Sequence, residues 1–69
     1  MRFNGEKIHQ LRWQQRLSLK QVAALMNSAC TPMAINNWER GKSTPDASNL
    51  GLLAAALGVE VGFFFEDGY

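Results

Sequence analysis

Apolar residues recur along this chain at intervals of three and four, and each such stretch is framed by residues that start or stop helices. The first places Ile8, Leu11, Arg12 and Gln15 on one face of a helix from about Gly5 to Gln15, with Asn4 positioned as its cap. In the second, Ser18-Leu19-Lys20-Gln21 has the S-x-x-Q form of a capping box. Leu19, Val22, Ala23 and Met26 then follow at i, i+3, i+4 and i+7, predicting a helix that ends near Met26 or Asn27. A third helix opens at Thr31, which can cap it, and at Pro32, whose missing N–H is no loss in the first turn; Gly41 closes it. The fourth, capped by Asp46 or Ser48, carries Leu50, Leu53, Ala54 and Leu57 and stops at Gly58. Val61 to Phe65 predicts a short fifth helix, on which the three consecutive phenylalanines cannot all point inward. No period-two alternation, repeat or low-complexity tract is present. The expected fold is all-α: one domain over residues 1–69, a compact five-helix bundle without sheet. Its predicted core is Ile8, Leu11, Val22, Ala23, Ile35, Trp38, Leu50, Leu53, Ala54 and Leu57.

The third helix has two unlike faces. Met33, Asn36, Asn37 and Arg40 share one, and Ile35, Trp38 and Glu39 share the other. Two amides, a cation and a flexible thioether suit the edges of bases, since Asn offers a paired donor and acceptor and Arg a fork for guanine or phosphate. A polar helix face is more often only a solvated one, so the neighbouring segments must decide. Only a few residues join the second and third helices, which implies a steep crossing, the helix-turn-helix unit. Arg12 sits beside the apolar stripe of the first helix and would be costly there alone. Glu39 lies on the inward face of the third helix, and the two are inferred to form a salt bridge.

Length and charge narrow the picture. A chain of 69 residues buries only about 60% of the surface its unfolded form exposes, so the core must be economical. Residues 1–44 hold all seven basic side chains against Glu6 and Glu39, a net +5, whereas residues 45–69 hold four acids and no base, a net −4. Such asymmetry suggests an anion-facing half and a half turned away. Lys42-Ser43-Thr44-Pro45 adds a cation and two hydroxyls suited to gripping phosphate. Cys30, the single cysteine, reads as a small buried hydrophobe rather than a nucleophile, because no base is placed to activate it. His9 reads as a surface residue without metal-ligand spacing, and Trp13 as a cover at the edge of the core. No glycine-rich phosphate loop, catalytic carboxylate pair or Ser/His/Asp set is visible, so neither an enzyme, a cofactor nor a metal is expected. Without a signal peptide, a membrane-length apolar run or a Cys/His cluster, the expected setting is cytoplasmic.

The segments Ile8-x-x-Leu11-Arg12, Leu17-Ser18, Val22-Ala23 and Thr31-Pro32-x-x-Ile35-x-x-Trp38-Glu39-Arg40-Gly41-Lys42 together resemble the phage repressor and Cro (XRE-like) helix-turn-helix family. The resemblance continues through Pro45 and Leu50-x-x-Leu53-Ala54-x-Ala56-Leu57-Gly58-Val59 to Phe64. It implies a lambda-repressor-like fold and sequence-specific binding of double-stranded DNA. Ser18, Lys20, Thr31, Pro32, Met33, Asn36, Asn37 and Arg40 would meet bases and phosphates, and Lys42 and Ser43 would follow the backbone. It also implies the Arg12–Glu39 bridge. Three departures stand out: the connection from Val22-Ala23 to Thr31 is about two residues longer than the family's, Leu19 replaces a frequent phosphate-binding glutamine, and Arg16 stands where glycine usually ends the first helix. A homodimer through Val61–Phe65 is expected. The competing reading is a helix-turn-helix interaction module such as an antitoxin, antirepressor or adaptor.

Overall fold

In the computed structural model, described here for residues 2–66, the chain runs β1 (Arg2–Phe3), α1 (Glu6–Gln14), α2 (Leu19–Leu25), α3 (Pro32–Glu39), α4 (Ala47–Leu57), a 3-10 turn (Val61–Phe64) and β2 (Phe65–Glu66). Met1 and residues 67–69, including the Asp67 counted in the acidic half, lie outside the described part.

Helix starts follow their side chains. Ser18 Oγ accepts from Gln21 N while Gln21 Oε1 accepts from Ser18 N, so both halves of the capping box are present. Thr31 Oγ1 accepts from Ala34 N, and Asp46 rather than Ser48 caps α4 by accepting from Asn49 N. In α1 the cap position is Gly5, and Asn4 acts one residue earlier, its Oδ1 accepting from Glu6 N. Gly5 is there for space: a Cβ on it would lie 1.8 Å from the Trp38 carbonyl oxygen, so the start of α1 rests directly on the end of α3.

Helix ends share one device. Each of the four α-helices closes with a left-handed residue followed by an N–H that reaches back to a carbonyl five residues earlier: Leu17 to Arg12, Ser28 to Ala23, Lys42 to Asn37 and Val59 to Ala54. Gly41 and Gly58 adopt the left-handed conformation freely, but the corresponding residues of α1 and α2 are Arg16 (φ 57) and Asn27 (φ 59). Ser28 is left-handed as well, at φ 57. The long connection is therefore absorbed by an opened turn with two successive left-handed residues, and α2 is not extended.

The core contains Ile8, Val22, Ala23, Met26, Ile35, Trp38, Leu50, Leu53, Ala54, Leu57 and Phe64. Leu11 is only half-buried against it, while Met26 and Phe64 belong to it although the predicted core omitted them. α2 packs on α3 and α4, α1 packs on α3, and the 3-10 turn closes against α1 and α4.

Two expectations are corrected at the C-terminal end. Among the described residues there are four α-helices, not five: Val61–Phe64 is too short for an α-helix, contains Gly62 and has no side-chain cap, and winds as a 3-10 turn. The fold also contains sheet, because Phe65 leaves the predicted helix and pairs antiparallel with Phe3, as Glu66 does with Arg2. Phe64 is fully buried, Phe65 half-buried, and Phe63 remains 43% exposed.

Candidate nucleic-acid interface

α3 presents its polar face as the arrangement of its apolar one requires. Ile35 and Trp38 are buried, and Glu39 joins them at 8% exposure. On the other side Met33 is 63% exposed, Arg40 is exposed and Asn36 and Asn37 are half-buried. Among the described residues no side-chain hydrogen bond occupies the amide of Asn36 or Asn37, so their donors and acceptors are available to a ligand.

The inner face fixes the orientation of that outer face. Arg12 Nε donates to Glu39 Oε2 at 2.7 Å and Nη2 donates to Oε1 at 3.0 Å, a two-pronged pairing that allows little rotation. Arg12 Nη1 also donates to the Leu17 carbonyl at 3.1 Å, so one guanidinium ties α1, α3 and the start of the next turn together. Its hydrogen bond to Glu39, first, and the attraction of that carboxylate hold Arg12 above its ordinary pKa against the opposing effect of burial. His9 completes the group. Its Nδ1 lies 3.1 Å from Glu39 Oε1 and 3.3 Å from Arg12 Nη2. A proton on Nδ1 donates to the carboxylate; without it, the same nitrogen accepts from the guanidinium. His9 is thus at the surface, as expected, but also a partner of the buried carboxylate; its place three residues before Arg12 on the same helix was the available signal.

Three of the residues predicted to meet DNA line two grooves, and the others lie outside them. Asn36 and Arg40 line an open groove between α1 and α3 with Glu6 and His9. Ser18 lines a second groove with Arg12, Trp13, Arg16, Leu17 and Gln21, its hydroxyl already engaged as the α2 cap. Lys20 is exposed on α2, Thr31 is exposed at the start of α3, Pro32 is half-buried in its first turn, and Lys42 and Ser43 are exposed on the loop after it. Trp13 does not cover the core: it is 67% exposed, with its ring against His9 at 5.7 Å between centroids. Cys30 is half-buried with its Sγ 3.7 Å from Met26 Sδ, and burial pushes its thiol pKa up. Among the described residues no group of His, Cys, Asp or Glu is arranged to hold a metal, and no helix is long and apolar enough to cross a membrane.

Comparison with known proteins places this architecture. A family profile described as helix-turn-helix matches residues 8–64. Multiprotein-bridging factor 1 of Debaryomyces hansenii is 37% identical over 57 residues, which cover 83% of this chain and 37% of the length of that protein. The crystal structure of the P22 c2 repressor protein in complex with synthetic operator 9T in the presence of Tl+ superposes with a TM-score of 0.85, over 96% of this chain and 97% of the other, at 23% identity. At that identity the superposition speaks for the fold. With the profile spanning α1 through the 3-10 turn, the chain belongs to the helix-turn-helix family, and it has the fold of the P22 c2 repressor.

Proposed function

We propose that this protein is a sequence-specific DNA-binding transcriptional regulator that places α3 in the major groove of duplex DNA. The observation that carries the reading is the pairing of a firmly anchored inner face with an exposed outer face of base-reading chemistry on the same eight-residue helix. The P22 c2 repressor, which shares the fold, was crystallised on an operator, and that likeness supports the same use of the fold here.

Asn36 and Asn37 act as direct readers, since an asparagine amide pairs with adenine through both its groups, and Met33 presses on a thymine methyl. Thr31 and Pro32 bring the N-terminal end of α3, with its favourable field for anions, close to phosphate. Arg40, Lys42 and Ser43 hold the backbone on one side of α3, and Ser18 and Lys20 hold it on the other. A second copy joins through Val61–Phe65, where Val61 and Phe63 are exposed apolar residues. Two such copies would set their α3 helices about 34 Å apart, one turn of duplex.

Selection of sites from a random duplex pool tests the reading, and an enriched palindrome would report dimerisation at the same time. Asn36→Ala or Asn37→Ala should cost about 1–3 kcal/mol on the selected site with little effect on random duplex, whereas Lys42→Ala should weaken both alike and flatten the salt slope by about one. A chain that enriches no sequence and binds random duplex without salt dependence would be an interaction module instead.

A further inference from the structure

The interface above uses Ser18 at the corner between α1 and α2 but not its neighbours Trp13 and Arg16, although Trp13 is the most exposed large apolar side chain among the described residues. We propose that Trp13 and Arg16 form an additional contact with the DNA backbone, Arg16 pairing with a phosphate and the Trp13 ring covering the adjoining deoxyribose. The proposal rests on the DNA-binding reading and extends it to residues that the family resemblance does not assign.

Charge selects the occupant. The groove at this corner is lined by two guanidinium groups, of Arg12 and Arg16, and by no carboxylate. Arg12 is already answered by Glu39, whereas Arg16 is exposed and has no carboxylate within ion-pair distance among the described residues. The apolar part of the groove is Trp13 and half-buried Leu17. A phosphate beside a sugar presents the matching sequence of anion and apolar edge, repeated along a strand.

Position selects the same occupant. Trp13 leans on His9, and His9 lines the groove that also holds Asn36 and Arg40. Arg12 borders both grooves. One surface therefore runs from the reading residues of α3 across His9 to Trp13, Arg16 and Ser18 without leaving the protein. A duplex seated on α3 passes along this surface with its backbone, which is the part of DNA that carries no sequence information. The contact strengthens binding to every sequence and fixes the tilt of α3 in the groove.

The two tryptophans make the idea directly measurable, because Trp38 is only 5% exposed and Trp13 is open to solvent. The full chain is titrated with an end-labelled random-sequence duplex about two turns long, following label anisotropy for binding and acrylamide quenching of tryptophan emission for the corner. Binding should protect Trp13 from quencher, and Trp13→Phe should remove the protectable signal. Arg16→Gln should flatten the logarithmic salt slope by about one, and Arg16→Lys should restore it. Both positions are exposed, so unchanged thermal midpoints serve as the folding control. Duplex binding with Trp13 still fully quenchable and an unchanged slope in Arg16→Gln would overturn this contact while leaving α3 as the reader. No anisotropy change in the wild type would overturn the DNA reading and this extension together. Protection by polyglutamate but not by duplex would make the corner a site for acidic protein segments and also overturn it.

Discussion

Glu39 is a carboxylate almost out of water, and it is tolerable there because Arg12 answers both its oxygens and His9 approaches one of them. Removing it strands a guanidinium whose remaining partners, the Leu17 carbonyl and His9 Nδ1, carry no negative charge. Glu39→Ala should therefore lower stability by about 3 kcal/mol, while the double variant Arg12→Met with Glu39→Met should recover most of it, since the charges then leave together. Urea midpoints decide the matter, and a double variant as weak as the single one would show that the pairing is not the source. The raised pKa of Arg12 means that its share of this stability is present at all ordinary pH and is lost only as pH climbs above the usual arginine range. Cys30 behaves in the same sense. Burial raises its pKa, so less thiolate exists at neutral pH than in a free cysteine, and the folded protein loses stability as pH rises past the free-thiol range. Iodoacetamide should alkylate Cys30 more slowly than free cysteine at neutral pH, the gap narrowing in alkali; equal rates at neutral pH would contradict the burial effect.

At the scale of elements, the helix ends divide into relaxed and strained. A left-handed residue with a Cβ costs roughly 1–2 kcal/mol, less the entropy a glycine would lose. Arg16→Gly should accordingly raise the thermal midpoint, by about 1 kcal/mol of stability, even as it removes a cation from the surface; a lowered midpoint would mean that the Arg16 side chain supports the turn. These ends also show what the sequence could reveal. The starts of α2, α3 and α4 were legible because a cap is one side chain acting within three residues of itself. The end of α2 was only approximately so, since Asn27 and Ser28 take a conformation that glycine would have advertised. The strand pair was invisible. Two residues are too few for a period, and Arg2 and Glu66 meet only because everything between them has folded. The candidate interface divides similarly: Met33, Asn36, Asn37 and Arg40 follow from the period of one helix, and Arg12 with Glu39 from two inward faces. The corner of Trp13 and Arg16 is made by a turn that no periodicity describes.

Across the whole molecule, a small core makes each large side chain consequential. Leu53 is fully buried at the centre of α4, and Leu53→Ala should cost about 2–5 kcal/mol through the cavity it leaves, a large fraction of the total stability of a domain this size. An unchanged denaturation midpoint would remove it from the core. The distribution of charge follows the same economy. The C-terminal acids Glu60 and Glu66 belong to the end where the chain closes, and Glu66 is met there by Asn4 at 3.1 Å and Lys7 at 3.9 Å. The strand pair that brings them together has a kinetic consequence. Neighbouring helices can dock after closing only short loops, whereas β1 and β2 join positions 62 and 64 residues apart, and Asn4 N reaches the Phe64 carbonyl at 2.7 Å across nearly the same span. Closure of the ends should follow the docking of α1 to α4 rather than guide it. Phe3, whose ring meets those of Phe64 and Phe65 at 6.2 and 5.8 Å, should then hold the folded state shut without helping to form it. In stopped-flow measurements Phe3→Ala should speed unfolding and leave the refolding rate nearly unchanged, making this small clasp a determinant of how long the native molecule lasts, not of how quickly it appears.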